Sequence, residues 1–250
     1  MKKVMIAAAA LAVLTTGTQA QDVLRVGTEG AYPPWNLINE NGELAGFEID
    51  LGNAICEVTG MTCEFVQSDW DPIIPNLLAG NYDVILAGMS ITEERLETIN
   101  FTQDYFPPDP SLYIAAAGAE FDFEALSGAR IGVQSSTIQA AYAEETFGAD
   151  NTIVAFATFD QSIADLAAGN VDIVLADGSS LAPVVENSGG ALVFVGPEVL
   201  IGGGVGGGVR KEDTELLATL DAALDTLKAD GTVDALIAEW FDGAGPFYTE

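Results

Sequence analysis

Leu77-Leu78-Ala79-Gly80-Asn81-Tyr82-Asp83-Val84-Ile85-Leu86-Ala87-Gly88-Met89-Ser90 returns 89 residues later as Leu166-Ala167-Ala168-Gly169-Asn170-Val171-Asp172-Ile173-Val174-Leu175-Ala176-Asp177-Gly178-Ser179. Each copy reads as the end of an apolar helix, a glycine stop, and an apolar run suited to a buried strand. A shorter echo pairs Arg25-Val26-Gly27-Thr28-Glu29 with Arg130-Ile131-Gly132-Val133-Gln134. The two echoes imply two similar α/β lobes, each built of strands alternating with helices around a mostly parallel sheet. Ligands of such sheets bind beyond the carboxyl ends of the strands. That rule singles out Glu29 and Gly88 in one lobe and Gln134 and Asp177 in the other, and lobes that face each other would bring these four around one cleft.

Working outward, Leu24 to Thr28 reads as a strand. The loop Glu29-Gly30-Ala31-Tyr32-Pro33-Pro34-Trp35 follows, its prolines forbidding helix. Asn39-Glu40-Asn41-Gly42 is a hairpin-like turn, and Ile49, Ala54, Ile55 and Val58 recur at helical spacing. Asp71-Pro72 starts a further helix, which Gly80 ends. Thr102 to Pro110, with its three prolines, suits a first crossing between lobes, and the glycine-rich Gly202 to Gly208 lies at or near a second. These glycines match neither GxxxxGK[ST] nor a GxGxxG leading into a helix. A chain that crosses twice returns to its first lobe, so residues 21–108 plus 204–250 form lobe one and residues 109–203 lobe two. The natural motion is hinged closure.

Lys2 and Lys3, the apolar Val4 to Leu14 and the small residues around Thr18-Gln19-Ala20 read as an export signal (1–20) cleaved after Ala20. No cysteine follows to carry a lipid, and the apolar Val193 to Val209 run is too glycine-rich to span a bilayer. A soluble periplasmic protein is expected. The chain holds 38 acidic and 8 basic residues, and losing Lys2 and Lys3 takes the net charge from −30 to −32. That field repels nucleic acid and anionic membranes and attracts cations. There is no histidine, which removes the usual serine or cysteine triads and most zinc sites. Cys56 and Cys63 flank Gly60 and read as a local disulfide of an exported protein; the alternative, a reactive or metal-binding thiol pair, lacks a nearby histidine.

Six basic residues follow the leader: Arg25, Arg95, Arg130, Arg210, Lys211 and Lys228. Arg25 and Arg130 open strands, Arg210 and Lys211 precede an acidic helix start, and Lys228 lies near a helix C-terminus, where a cation is favoured. Arg95 follows Ser90-Ile91-Thr92-Glu93, a capping-box pattern, and there the helix dipole disfavours a cation. The stretch is either an ordinary strand-to-helix turn with a surface arginine or a corner that holds an anion. The scarcity of cations favours the corner.

Gly46-Phe47-Glu48-Ile49-Asp50-Leu51, Ser90-Ile91-Thr92-Glu93-Glu94-Arg95, Gly204-Val205-Gly206-Gly207-Gly208-Val209-Arg210-Lys211 and Asp230-Gly231-Thr232 carry a resemblance over essentially the whole mature chain. It resembles the ABC-transporter solute-binding proteins of the polar amino-acid family, nearest in pattern to lysine/arginine/ornithine-binding and opine-binding members. The resemblance implies the type II periplasmic binding protein fold, a Cys56–Cys63 disulfide and a ligand between the lobes. It makes Arg95 the clamp for the ligand α-carboxylate, helped by the Ser90 and Ile138 N–H groups, and gives the α-ammonium to Asp177. The Ser90 hydroxyl and Gly88 carbonyl complete the lobe-one side, Tyr32 and Trp70 flank the ligand side chain, and Glu29 meets a distal cation. Met89, Gln134 and Thr137 complete the implied set. The sequence departs from the lysine/arginine/ornithine pattern at Ala87 and Gly88, which replace hydroxyl residues, at Gln134, which replaces an apolar one, and at Ile138, which replaces threonine. Arginine-like, ornithine-like and opine ligands stay open.

The implied function is capture of a polar, cationic amino acid or opine and its delivery to a membrane permease. The chain would act as a monomer, with no cofactor, no metal and no catalysis. Two alternatives remain: a cyclohexadienyl dehydratase-like enzyme on the same fold, using Glu29 or Asp177 as an acid, and a chemosensory binding protein.

Overall fold

A computed structural model describes residues 22–249, so the expected leader lies outside the described residues. The chain opens with β1 (Val23–Thr28) and a small antiparallel sheet of β2 (Ala31–Tyr32), β3 (Asn36–Ile38) and β4 (Leu44–Ala45). The Asn39–Gly42 turn joins β3 to β4 and is closed by Gly42 N–H to Asn39 O at 2.9 Å. Next come α1 (Phe47–Thr59), β5 (Thr62–Gln67), α2 (Ile73–Leu78), β6 (Val84–Ile85), α3 (Glu93–Thr98) and β7 (Asn100–Phe106). The chain then crosses to the second lobe, with β8 (Ser111–Ala116), β9 (Arg130–Gln134), α4 (Ile138–Phe147), β10 (Thr152–Phe156), α5 (Phe159–Ala167), β11 (Ile173–Asp177), α6 (Gly178–Asn187) and β12 (Leu192–Val199). It returns through β13 (Val205–Val209), α7 (Thr214–Ala229) and α8 (Thr232–Trp240).

The lobes have matching sheets, ordered β5-β1-β6-β13-β7 and β10-β9-β11-β8-β12. The first three strands of each are parallel, the fourth is antiparallel to both its neighbours, and the fifth runs with the first three. The odd strand, β13 in one lobe and β8 in the other, is the one that enters directly from the opposite lobe. This is the mixed α/β, mostly parallel two-lobe architecture that the repeats imply.

The two sequence echoes meet in space. Arg25 on β1 pairs with Asp83 of the first long repeat at 2.6 Å, and Arg130 on β9 pairs with Asp172 of the second at 2.6 Å. Each aspartate also accepts the backbone N–H of its arginine, at 3.1 and 2.8 Å. The pairs fasten the strand that ends at Glu29 beside the one leading to Gly88, and the strand that ends at Gln134 beside the one ending at Asp177. Both aspartates are held below the ordinary carboxylate range; burial opposes the arginine at Asp83, while the Arg130 hydrogen bond dominates at Asp172.

One local expectation is corrected and two are narrowed. The helix carrying Arg95 is capped by Thr92, whose hydroxyl accepts the Arg95 N–H at 3.1 Å, and Ser90 instead bridges Val205 of the returning chain. The glycine-rich stretch spans the end of the return crossing, Gly202–Gly204, and the start of β13, which lies inside the lobe-one sheet between β6 and β7. A Cβ at Gly206 would meet Ile91 Cδ1 at 3.0 Å and one at Gly208 would meet Ile99 Cδ1 at 3.0 Å, so the absence of side chains lets neighbours pack onto the strand. The first crossing is likewise confined to Pro107–Pro110, because β7 takes up the residues before it.

Leu51, Ile55, Leu220, Leu224, Val233 and Ile237 are buried where α1, α7 and α8 pack together, so the C-terminal helices finish lobe one. Cys56 and Cys63 form the disulfide between α1 and β5. Its loop is short, so reduction is expected to cost roughly 2–3 kcal/mol. Urea unfolding with and without reductant reads that difference, and ligand affinity in the absence of denaturant is expected to stay unchanged because the bridge is remote from the cleft. Among the described residues no helix is long and apolar enough to cross a membrane.

Candidate functional site

The strand ends converge on a cavity between the lobes. Lobe one contributes Glu29 after β1, Tyr32 on β2, Trp70 after β5, Ala87 and Gly88 after β6, and Ser90 and Arg95 from the corner. Lobe two contributes Gln134 at the end of β9, Thr137, Ile138 and Gln139 at the start of α4, and Asp177 at the end of β11. Of the eleven residues singled out in sequence, Met89 alone does not line this space. Its fully buried side chain packs with Trp70, Ile73 and Ile99 because the chain turns at Gly88 and sends Met89 to the opposite side.

Gly88 makes that turn at φ +62°, a conformation that favours glycine, and a Cβ there would meet Tyr32 Cδ1 at 3.2 Å. The Gly88 N–H donates to both oxygens of Glu48, at 2.7 and 2.9 Å. Glu48 is fully buried on α1, also accepts from Asn36 Nδ2 at 3.0 Å and from the Tyr105 hydroxyl, and has its pKa raised by burial against those bonds. It is a positioning residue that sequence reasoning placed only within a motif.

Arg95 is partly buried, donates to the Ser90 carbonyl at 2.8 Å, and lies 5.4 Å from the centre of the Trp70 ring. Burial lowers its pKa to about 10, against the opposing pull of Asp177 and Glu94, so it stays cationic at neutral pH. Arg25, Arg130, Arg210 and Lys228 all form ion pairs, whereas Arg95 makes none among the described residues. In a chain with so many carboxylates, a partly buried guanidinium left without one has donors that could take an anion.

Asp177 occupies the N-cap position of α6, yet its carboxylate does not cap the helix. It turns into the cleft, accepting from the Tyr32 hydroxyl of the other lobe at 2.6 Å and from Gln139 Nε2 at 2.7 Å. Gln139 is buried, also donates to Ser111 Oγ at 3.0 Å, and was not singled out in sequence, since its partners lie 28 and 38 residues away. Across the cleft, Gln134 Nε2 donates to Glu29 Oε1 at 2.7 Å. Thr137 caps α4 by accepting the Ala140 N–H at 3.1 Å and donates its own hydroxyl to the Gln134 carbonyl at 2.7 Å. Ser136, at φ +56°, offers its carbonyl to Trp70 Nε1 at 3.3 Å, and Ser135 Oγ donates to Asp71 at 2.8 Å. Trp35 Nε1 donates to Ser179 Oγ at 3.2 Å, and the Tyr32 ring meets Phe159 edge-on at 5.3 Å. The lobes are therefore closed on one another.

Closure buries two acids. Burial raises Glu29 to about 7, with Asp69, Asp160 and Asp71 adding repulsion and the Gln134 bond opposing it. Burial also raises Asp177 to about 7, reinforced by Asp109 and opposed by Tyr32, Arg95 and Gln139. An open cleft returns both to water and to ordinary carboxylate values. The cost of closing the empty protein is therefore small near pH 4, grows as pH rises, and is fully present above about pH 7. Small-angle scattering of the ligand-free protein is expected to show a more compact particle near pH 5 than near pH 8; equal dimensions at both would contradict this.

The cleft thus holds one unpaired cation and two acids on opposing lobes, lined by two aromatic rings. Among the described residues no group of three or more histidine, cysteine, aspartate and glutamate side chains is placed to hold a metal ion.

Residues 24–243 match the model of the bacterial extracellular solute-binding proteins, family 3. The lysine/arginine/ornithine-binding periplasmic protein of Escherichia coli (strain K12) is 35% identical, over 97% of this chain and 98% of its own length. A periplasmic His/Glu/Gln/Arg/opine family-binding protein from Silicibacter pomeroyi, solved in complex with lysine, superposes with a TM-score of 0.82 at 50% identity, over 89% of this chain and all of that one. The ancestral amino acid-binding protein AncCDT-1, described as a precursor of cyclohexadienyl dehydratase, superposes with a TM-score of 0.80 at 31% identity, over 88% of this chain and 95% of that one. With the family model covering most of the chain and a relative of this identity along its whole length, the chain belongs to the bacterial extracellular solute-binding proteins, family 3.

Proposed function

We propose that this protein captures a cationic amino acid, or an opine of like charge, in the interlobe cleft and delivers it to an ABC-transporter permease from the extracytoplasmic side. The observation that carries the reading is the charge pattern of the closed cavity. Arg95 has no acid partner among the described residues and suits an α-carboxylate, Asp177 stands on the opposite lobe for an α-ammonium, and Glu29 offers a second negative group for a distal cation. A zwitterion with one extra positive charge complements all three. Because the two lobes hold different parts of one molecule, the ligand favours the closed state by differential contact. Ser90, Thr137 and the Ile138 N–H at the start of α4 supply polar contacts beside Arg95, and Tyr32 and Trp70 border the space for the side chain. The lysine complex of the Silicibacter pomeroyi relative supports the cationic class. A thermal-shift panel of amino acids and opines tests it: saturable stabilisation by cationic members is expected, and tight binding of glutamate or aspartate with none for arginine or lysine would refute the specificity.

A second reading has one observation in its favour. Glu29 and Asp177 both stand near 7 in the empty closed cleft, where a general acid is useful, and AncCDT-1 is described as a dehydratase precursor. A bound ammonium beside Asp177 would restore its ionised form, which opposes that role. Turnover of prephenate or arogenate by the protein would overturn the reading as a binder alone.

A further inference from the structure

Resting on that reading, we infer that Glu48, held as a carboxylate, is a positioning residue that ties together two strand ends of the ligand site: the Glu29–Gly30 turn after β1 and the Gly88 turn after β6. Glu48 does not line the cavity and is fully buried. Its link to Gly88 is direct, since both carboxylate oxygens accept the Gly88 N–H. Its link to Glu29 runs through Asn36, which is also fully buried. Asn36 Oδ1 accepts the Gly30 N–H at 2.7 Å. A backbone N–H can only donate, so Asn36 must turn its Nδ2 to Glu48, which accepts it at 3.0 Å. The same Glu29–Gly30 peptide has its carbonyl bonded to Gln67 Nε2 at 3.1 Å, so the backbone from which Glu29 projects is held on both sides. Gly30 lies at φ +74° and Gly88 at φ +62°, and neither has a side chain for packing to grip. Their backbone bonds are left to hold both turns.

The charge follows from the partners. Every side chain or N–H that bonds to the Glu48 carboxylate does so as a donor: Gly88, Asn36 and the Tyr105 hydroxyl of β7. Burial favours the neutral acid, and these donors oppose it. Glu48 also stands in the first turn of α1, where the helix dipole favours an anion. A glutamine in its place brings an N–H group against a donor in either orientation of its amide. One of the two turns then loses its anchor, and a ligand group on the cavity wall shifts with it.

Calorimetric titration with L-lysine and L-arginine, at a temperature where each protein is folded, compares the wild type with Glu48→Gln and with the double variant Asn36→Asp/Glu48→Gln. Glu48→Gln is expected to weaken binding by about ten-fold, the worth of one misaligned hydrogen bond. The double variant moves the carboxylate to position 36, where it accepts from the Gly30 N–H and from the new amide. It is expected to bind within about three-fold of the wild type, because every donor again meets an acceptor. A purely structural role would lower the melting temperature and leave the Kd of the folded protein unchanged. Unchanged affinity in Glu48→Gln therefore overturns the inference, and so does a loss that the double variant does not recover. Nuclear magnetic resonance of the wild type decides the case even where no variant folds. An ionised Glu48 carboxyl carbon at pH 8 and slowly exchanging Gly30 and Gly88 amide protons are expected; a protonated carboxyl, or free exchange at either glycine, overturns the inference. If neither amino acid binds the wild type, the reading of the cleft as a cationic amino-acid site fails, and this inference with it.

Discussion

Replacing Arg95 with alanine is expected to weaken ligand binding by about 2–5 kcal/mol, from roughly 30-fold to a few thousand-fold in Kd. The side chain is held in place before a ligand arrives, by the Ser90 carbonyl on one side and the face of Trp70 on the other. No carboxylate forms an ion pair with it among the described residues, so a ligand carboxylate need not displace an internal partner. Arg95→Lys is expected to recover only part of the loss, since an ammonium lacks the planar fork that grips both oxygens. The melting temperature of the empty protein is expected to change little, because the substitution removes a desolvated cation along with one hydrogen bond. Calorimetry and thermal unfolding on the same samples separate the two effects. Weak binding joined to a large loss of empty-protein stability would make Arg95 a structural residue.

Asp177→Asn is expected to cost a similar 2–5 kcal/mol in binding, with an opposite effect on the empty protein. Asparagine keeps an acceptor for the Tyr32 hydroxyl, so the contact between lobes survives, while the ligand ammonium loses its charged partner. Burial in the closed cleft raises the native aspartate to about 7, so at pH 8 closure of the empty protein must bury an ionised carboxylate. The neutral side chain removes that cost. Ligand-free Asp177→Asn is expected to be more compact than wild type by small-angle scattering at pH 8 and little different at pH 5. A variant that binds poorly and stays as open as wild type at pH 8 would show that Asp177 does not govern closure.

Much of this was legible in the sequence because the chain says the same thing twice. The repeats of Leu77–Ser90 and Leu166–Ser179 specify local helix, stop and strand in each lobe, and the rule about strand ends turns them into a site. Glu29, Gly88, Gln134 and Asp177 all lie on the cavity for that reason. What was not legible depends on partners distant in sequence. Ser90 and Glu93 have the spacing of a capping box, but Ser90 pairs with Val205, and the helix is capped two residues later by Thr92. The Gly202–Gly208 stretch is legible as lying at or near a crossing, but not as the start of an interior strand, where its lack of side chains lets Ile91 and Ile99 lie close. Gln139 and Glu48 act through Asp177 and Gly88, and no local pattern marks a glutamine or a buried glutamate for such work. Met89 shows the reverse error, since adjacency to Gly88 and Ser90 did not bring its side chain to the cleft.

Calorimetric titration of the protein with L-lysine and, separately, with L-glutamate tests the central claim most directly. The account predicts saturable binding of one lysine per chain and no binding of glutamate, whose second carboxylate would face Glu29. Saturable binding of glutamate with none of lysine would contradict it.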